Sequence, residues 1–551
     1  MEANAASRNS VAYYNGRVFT VNEKQPWASA FIVSDMGIFE AVGSDEQILA
    51  SAKQRKLVKF DLRQKFVMPG VHDAHAHIWA AGLQHLSEAN MVLEDNDAKI
   101  SEKLLGAHCQ CSYTGAREDW IFGNSYLATH FLDNKPDRCH LDRIWPEQPV
   151  LIRDFAQHDL LLNTAGLRAL GIDESIVDPP GGAFLRRPDG PLTGEVIGAA
   201  TQTVWLRMPT PPLAHVKRAV AYALSTFHRY GITSAQEATA NTLFLHALRD
   251  IEQESKLDLD VYTHILSAPG GFFMEREDSL AVLLDVAEGF RSKHIHPQFV
   301  KFVLDGSPTP PNLTQADLDE NGDVCTKNLV VSEEKLFERL KLYDSRGMTC
   351  KIHATGEGSV RMALNVLEKV RSLNEDGPRH EIAHCNAVHP DDTPRFATLR
   401  ITAEMSPAIF HHDTANQDPR LARWDFPSML SSKAHVTIGS DWLVTATPNL
   451  FPCAGGISEK IGSAFLPDQD DGLTDLQRGS RIVLRILTLG GAEAVGAQHR
   501  VGSIEVGKRA NFIAVDRDLS EGYFADAKVL QTWFEGRVVY SARNDGLVSL
   551  A

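Results

Sequence analysis

The chain has 551 residues, of which 43% are apolar and 23% are charged. These fractions are close to the average for globular proteins, and they exclude a disordered, collagen-like or coiled-coil chain. The formal net charge is −16, and no basic stretch stands out, so we predict no nucleic-acid partner. No run of 18 apolar residues occurs, so we predict no membrane-spanning segment and no membrane partner.

The cysteines are few and scattered. There are seven, an odd number that is low for this length, so a disulfide framework is not expected. Residues 1–10 are small and polar and lack the apolar centre of a signal peptide. We therefore predict a reducing, cytoplasmic location.

Both ends of the chain are rich in short strand-like segments broken by turn residues. The segments comprise residues 11–20, 28–33, 38–42, 57–62, 510–515, 529–534 and 538–540. Two β-rich ends around a long central region predict one small β-sandwich built from residues 1–66 and 495–551.

The central region alternates between strand-like and helical segments. Its eight apolar strand-like runs are residues 66–71, 233–236, 259–265, 299–304, 349–352, 380–383, 400–403 and 436–438. Eight such alternations predict an α/β fold, a (β/α)₈ TIM barrel over residues 67–494. The gap between the first two strands is too long for a simple crossover, so we predict a large insertion at about residues 80–215.

Titratable residues follow five of the predicted barrel strands. His75 and His77 lie two positions apart, so on an extended strand they face the same side as a chelating pair. Lys301 interrupts the apolar fourth strand, where a charged lysine would be costly. As a neutral amine it could add CO₂ and become a carbamate that bridges two metal ions. His353, His384 and Asp441 follow later strands.

This set of side chains fits metal-assisted hydrolysis. Imidazole and carboxylate ligands suit Zn²⁺ and similar divalent ions. A bound metal lowers the pKa of water towards about 7, and two metals about 3.5–4 Å apart can share the resulting hydroxide. We predict two Zn²⁺ ions per chain, bridged by carbamylated Lys301. Asp441 would bind a metal, take the proton and pass it to the leaving amine.

Several motifs resemble those of the metal-dependent amidohydrolase superfamily, in particular the amidohydrolase-3 group that includes N-substituted formamide deformylase. Residues 69–77 resemble its PGF-x-D-x-H-x-H motif, and residues 502–511 resemble its GSIE-x-GK-x-AD run. The resemblance implies that the metal ligands are His75, His77, Lys301, His353, His384 and Asp441. It also implies hydrolysis of a carbon–nitrogen bond in a small-molecule amide, an N-acyl or N-formyl compound, by metal-activated hydroxide.

The chain departs from the group at positions outside these ligands. Glu357 lies in a changed run after His353, Gly198 replaces a common glutamate, and Ser406 stands where glutamine is common. Residues 308–311 replace a small glycine-containing run. We interpret these departures as differences in substrate.

Three residues are candidates for substrate binding. His158 resembles a histidine of the group that lies near the substrate. Arg153 is a second candidate, although an ion pair with a neighbouring aspartate would also explain it. Trp442 follows Asp441 directly and could form a pocket wall or belong to the core. We also considered the pair of histidines at 411–412, whereas His72 is expected to be structural.

Two alternatives remain open at this point. The same scaffold could support a deaminase or cyclic-amide hydrolase, although a mononuclear deaminase would not need Lys301. A non-catalytic scaffold protein would be expected to lack some of the ligands, and all six are present. The expected partner is a small-molecule amide, and the resemblance also allows a homodimer.

Overall fold

The computed structural model of the protein describes residues 9–92, 94–106, 120–131, 133–155, 157–268, 275–308, 313–410, 424–464 and 472–542. Its largest sheet has eight parallel strands in sequence order, labelled β1 to β8. They are Val71–Ala76, Ile232–Ala240, Asp260–Leu266, Ile295–Val303, Thr349–Ala354, Glu381–His384, Thr402–Met405 and His435–Ile438. All eight are mostly buried, as expected for strands covered on both faces.

Helices separate the strands and surround the sheet. They are Leu213–Arg229, Thr242–Gln253, Glu277–Val286, Glu333–Ser345, Glu357–Leu373, Thr393–Thr398, Phe426–Ser431 and Phe451–Ala464. This alternation confirms the predicted (β/α)₈ barrel. None of the helices within the described ranges is both long enough and apolar enough to cross a membrane.

The two ends of the chain together form two further sheets. One has the strand order Phe39–Gly43, Ala30–Val33, Val11–Tyr14 and Val58–Asp61, and Asp45–Arg55 is a helix beside it. The other has the order Arg537–Ser541, Val529–Phe534, Phe512–Val515, Phe66–Pro69, Arg17–Phe19 and Trp27–Ala28. Tyr13 packs its ring against Phe512 and Trp533, with centroids 5.3 and 6.0 Å away, so residues from both ends share one core.

The first barrel strand differs from the prediction. Residues 66–69 pair with Arg17–Phe19 and Phe512–Val515 in a terminal sheet, and the barrel strand begins only at Val71. The predicted segment 66–71 was therefore wrong as a barrel strand, and it also spans the predicted domain boundary at residue 66. The chain passes from one sheet to the other in an almost continuously extended conformation, so no turn marks the change.

The insertion after β1 forms its own mixed sheet. The strand order is Gly182–Arg186, Leu192–Gly198, Leu160–Leu162, Val150–Asp154, Ile121–Tyr126 and Ala89–Asn90. Its helices are Ile78–Ser87, Asp97–Leu105, Arg138–Asp142, Thr164–Ala169 and Thr201–Arg207. The remaining helical segments of the described chain are Ala128–His130, Ala287–Phe290, Thr326–Asn328, Pro407–Phe410, Asp475–Arg485, Ile486–Gly490, Gly491–Ala494 and Leu519–Glu521.

The barrel closes between β1 and β8 through specific contacts instead of a regular ladder. The Asp73 carboxylate accepts hydrogen bonds from the Ser440 amide at 2.9 Å and the Ser440 hydroxyl at 2.6 Å. The Asp441 amide donates to the His75 carbonyl oxygen at 2.7 Å. Gly439 allows this approach, because a Cβ atom there would lie 2.4 Å from the Cβ of His75.

Gly439→Ala should therefore force the two strands apart. We expect it to lower the free energy of unfolding by about 1–3 kcal/mol, the usual cost of overpacking a tight contact. The matched control is Gly456→Ala, because a Cβ at that helical position has nothing within 4 Å. Urea unfolding followed by tryptophan fluorescence measures both, and a Gly439→Ala protein as stable as the control would contradict this account of the closure.

Candidate metal centre

The carboxyl ends of the barrel strands border a cavity of about 230 Å³. All six predicted ligands line it, namely His75, His77, Lys301, His353, His384 and Asp441. They lie at or just beyond the ends of β1, β4, β5, β6 and β8. The residues meet because parallel barrel strands all end at the same face.

Three of these side chains direct ligand atoms at one point. The Oδ1 atom of Asp441 lies 3.2 Å from Nε2 of His77 and 3.8 Å from Nε2 of His75. One ligand atom from each of the three residues falls within 4.8 Å of the others. Oδ1 of Asp441 is buried, and no described residue donates a hydrogen bond to it in good geometry. A buried carboxylate oxygen that accepts no hydrogen bond in good geometry favours the binding of a cation.

His75 is oriented by a buried glutamate on another strand. Nδ1 of His75 lies 2.6 Å from Oε2 of Glu404, which is on β7. Glu404 also accepts a hydrogen bond from the Ser406 hydroxyl at 2.8 Å. A carboxylate at Nδ1 favours the tautomer that leaves Nε2 free to bind a metal. His75, His384 and Glu404 also have ligand atoms within 4.8 Å of one another. We nevertheless assign Glu404 the role of orienting His75.

His77 is oriented in a similar way from β2. Its Nδ1 atom lies 3.0 Å from the Thr239 hydroxyl oxygen. That hydroxyl also lies 3.1 Å from Oε1 of Glu237, to which it donates. Because Nδ1 is engaged by the threonine, Nε2 of His77 faces Asp441.

The other three candidate ligands lie beside this group. Nζ of Lys301 is 3.4 Å from Nε2 of His75. The ring of His384 lies 4.5 Å, centroid to centroid, from the rings of both His75 and His353. Nε2 of His353 lies 3.0 Å from the carbonyl oxygen of Gly306, to which it donates, so Nδ1 is the nitrogen of His353 available to a metal.

Burial favours the neutral forms of His75, His353, His384 and Lys301. It lowers the pKa of His353 to about 4, and it holds the pKa values of His75 and His384 well below their usual range, with nearby cationic groups adding to the effect. Burial, together with the neighbouring Lys351, also lowers the pKa of the Lys301 amine. Neutral imidazoles and amines have the lone pairs that ligands need.

One of the three predicted substrate-binding residues lies in the cavity. His158 lines it, with its ring centroid 5.7 Å from that of His353. Arg153 instead forms an ion pair with Glu88 and donates to Asn124 Oδ1 at 2.8 Å, and it is not among the residues found to line the cavity.

Trp442 lies behind the site and is fully buried. Its ring packs edge-on against Phe227, with centroids 5.2 Å apart, and its carbonyl oxygen accepts the His77 amide at 3.1 Å. It supports the backbone of His77 and is not among the cavity-lining residues of the described chain. The histidines at 411–412 lie outside the described residues. His72 is buried within the barrel with Nδ1 2.8 Å from the Ser234 hydroxyl, as expected of a structural residue.

Several residues of the site were not predicted from the sequence. Glu404 could have been suspected, because it is an acidic residue within a four-residue strand whose other members are all buried. Gln157 lines the cavity in a left-handed backbone conformation, with φ of 64°, which a sequence pattern does not reveal. Much of the remaining wall is apolar and includes Leu266, Phe302, Val303, Val330, Val331, Ile409 and Val444. The cavity therefore combines a polar floor with a largely apolar wall, as binding sites for small molecules usually do.

Comparison with known proteins finds relatives that match most of the chain. The chain is 25% identical over 557 residues to the Arabidopsis thaliana protein LONG AFTER FAR-RED 3, covering 96% of this chain and 91% of that protein. It is 23% identical over 550 residues to N-substituted formamide deformylase of Arthrobacter pascens, covering 96% and 97% respectively. A solved structure of an uncharacterized metal-dependent hydrolase from Pyrococcus horikoshii superposes with a TM-score of 0.70 at 19% identity. It covers 94% of this chain and 99% of that one.

The family assignment rests on a match across most of the chain. Residues 59–540 match the model of the Amidohydro_3 group, described as the Amidohydrolase family. The matched region contains the whole barrel, the insertion and about half of the strands of the terminal sheets. The predicted resemblance is thus confirmed: the chain belongs to the Amidohydrolase family and is an enzyme that acts on carbon–nitrogen bonds.

Proposed function

We propose that this protein is a divalent-metal-dependent hydrolase that cleaves the amide bond of a small N-acyl or N-formyl compound. The observation that supports this most is the convergence of ligand atoms from His75, His77 and Asp441 beside Lys301 in one cavity. The name of the Arthrobacter pascens relative points to formamides for that protein, and we take formamides as the first substrates to test.

The residues of the site fit a divalent cation. The buried Oδ1 atom of Asp441 faces two imidazole nitrogens that are oriented by Glu404 and Thr239. Two imidazoles and a carboxylate form a donor set that suits Zn²⁺ in particular. We therefore infer zinc as the metal, held at this position by His75, His77 and Asp441.

A second ion would use the remaining ligands. The rings of His353 and His384 are 4.5 Å apart, and both residues line the cavity with Lys301. Lys301 is buried, with 3% of its surface exposed. Its neutral amine nitrogen can bond to the carbon of CO₂ and release one proton, which gives a carbamate with two oxygen donors. The negative charge of this carbamate would offset part of the positive charge of the two ions, and its oxygens would be available to both of them.

The chain's own residues can then position the reactants and move a proton. A bound divalent ion supplies water of lowered pKa and polarises a carbonyl group. Although burial opposes it, contact with His77 together with the charges nearby lowers the pKa of Asp441, so this residue is a carboxylate. Its oxygen is placed to accept a proton from water during attack on the amide carbon. The same proton can pass to the amide nitrogen as the carbon–nitrogen bond breaks.

His158 is the side chain we propose to contact the substrate. Burial lowers its pKa to about 4, so the imidazole is neutral and has one donor and one acceptor nitrogen. Its ring centroid lies 5.7 Å from that of His353, one of the candidate ligands, which supports this role. A neutral imidazole there can orient the amide before attack without repelling a bound cation.

Asp441→Asn tests the proposed proton transfer. With zinc-loaded protein and a panel of N-alkylformamides and N-alkylacetamides, we expect kcat to fall by about 10²–10⁴-fold, the usual contribution of a general acid–base group. Release of formate, acetate and amine measures the reaction. Asp391→Asn, whose side chain is 85% exposed, is the control and should match the wild type. An Asp441→Asn enzyme with undiminished kcat would exclude this role.

Glu404→Gln tests the orientation of His75. Loss of the carboxylate at Nδ1 should weaken zinc binding by about 10–100-fold, as seen when such supporting groups are removed from metal sites. Competition with a chromogenic chelator measures the affinity. The exposed Glu334 gives the control variant Glu334→Gln, and equal affinities in the two variants would show that Glu404 does not support a metal ligand.

A further inference from the structure

Two cationic side chains that are not candidate metal ligands line the same cavity. Lys335 and Arg339 are one helical turn apart on Glu333–Ser345, the helix that follows β4, and both line the cavity. Residues four apart on a helix lie on one face with their Cβ atoms about 5–6 Å apart. The cavity thus has a positively charged patch formed by one helix.

The other charged groups of the described cavity wall are already engaged. Lys301 and Asp441 belong to the ligand cluster. Asp305 is buried and accepts hydrogen bonds from the amides of Ala316, Thr355 and Gly356 and from the hydroxyls of Thr355 and Ser359. Lys335 and Arg339 are the other two charged groups of the described wall, and their partners decide whether a charge is left for a substrate.

The carboxylate of Glu277 is the nearest ion-pair partner of both Lys335 and Arg339. Glu277, on the facing helix Glu277–Val286, forms a close ion pair with Arg339. Arg339 also donates to the Ser267 carbonyl oxygen at 2.8 Å, which fixes its guanidinium against the wall. Nζ of Lys335 is 4.0 Å from the same oxygen of Glu277, and its side chain is 54% exposed. Among these three side chains two are cationic and one is anionic, so one positive charge is left over.

The excess positive charge is unusual for this chain. The protein has a formal net charge of −16, and that charge would repel an anionic ligand at long range. A local cationic patch inside a cavity concentrates ligands of the opposite charge at that position. A neutral amide would gain little from Lys335, whereas an anion would supply the second carboxylate that the pair lacks.

We propose that the substrate of this site is an anionic amide, whose negatively charged group, a carboxylate in the simplest case, pairs with Lys335 beside Arg339. This inference rests on the proposed amide hydrolysis and adds the charge of the substrate to it. The apolar wall of Phe302, Val330 and Val331 would accommodate the hydrocarbon part of such a molecule. An N-acylated amino acid has this arrangement of amide, apolar side chain and carboxylate.

Matched substrates that differ only in charge test the proposal. We would compare N-formyl- and N-acetylnorleucine, as both enantiomers, with their uncharged carboxamides, and measure the release of formate or acetate by zinc-loaded enzyme. The wild type should have a kcat/KM about fivefold or more higher for the carboxylates, in line with a partly exposed ion pair. Added salt should raise KM for the carboxylates and leave the carboxamides unaffected.

The variant Lys335→Gln tests whether Lys335 causes the preference for carboxylate substrates. It should raise KM for the carboxylates about fivefold, leave kcat within twofold, and remove most of the salt dependence. Lys341→Gln, an exposed lysine on the same helix that does not line the cavity, is the matched control and should behave as the wild type. A purely structural role for Lys335 would change the unfolding midpoint or affect both substrates of a pair equally, and either result would overturn the proposal.

The outcomes also separate this inference from the proposed function. Hydrolysis of neutral N-alkylamides without preference for the carboxylates would overturn the anionic substrate and leave amide hydrolysis standing. Failure of the zinc-loaded enzyme to hydrolyse any amide of either set would remove the proposed function, and the inference with it.

Discussion

The closure of the barrel between its first and last strands is the contact on which the site depends. His75 and His77 lie on the β1 side of this junction, and Asp441 lies on the β8 side. The Asp441 amide is tied to the His75 carbonyl oxygen at 2.7 Å, so the backbone itself sets the separation of the ligands. Gly439 is required there because the strands approach too closely for any side chain. A metal site built across such a junction is positioned by the same contacts that close the fold.

Around the junction, each histidine is held by a neighbour that selects the nitrogen facing the cavity. Glu404 engages Nδ1 of His75, Thr239 engages Nδ1 of His77, and the Gly306 carbonyl oxygen engages Nε2 of His353. These partners come from β7, β2 and the loop after β4, so the orientation of the histidines depends on several separate parts of the barrel. A metal bound here as proposed would meet side chains that are already held in place, which would limit the entropy lost on binding.

The sequence predicted the fold class and the candidate ligands because both follow from local patterns. Strand–helix alternation predicts the barrel, and polar residues at strand ends must meet at one face of it. Glu404 could not be assigned in the same way, since its role depends on a contact with His75 across 329 positions of sequence. Arg153 was expected near the substrate, but its partners Glu88 and Asn124 lie on other segments of the insertion, whose packing no pattern reveals. The start of β1 was misplaced because residues 66–76 stay extended across two sheets.

The central claim is that these six side chains hold divalent metal with Lys301 as the bridge. Metal analysis of protein purified without chelator, for the wild type and for Lys301→Ala, tests it most directly. We predict two divalent ions per chain in the wild type and one or none in the variant. One ion in both proteins would contradict the bridged pair and favour a mononuclear site. No bound metal in the wild type, with none taken up on addition of zinc, would contradict the account as a whole.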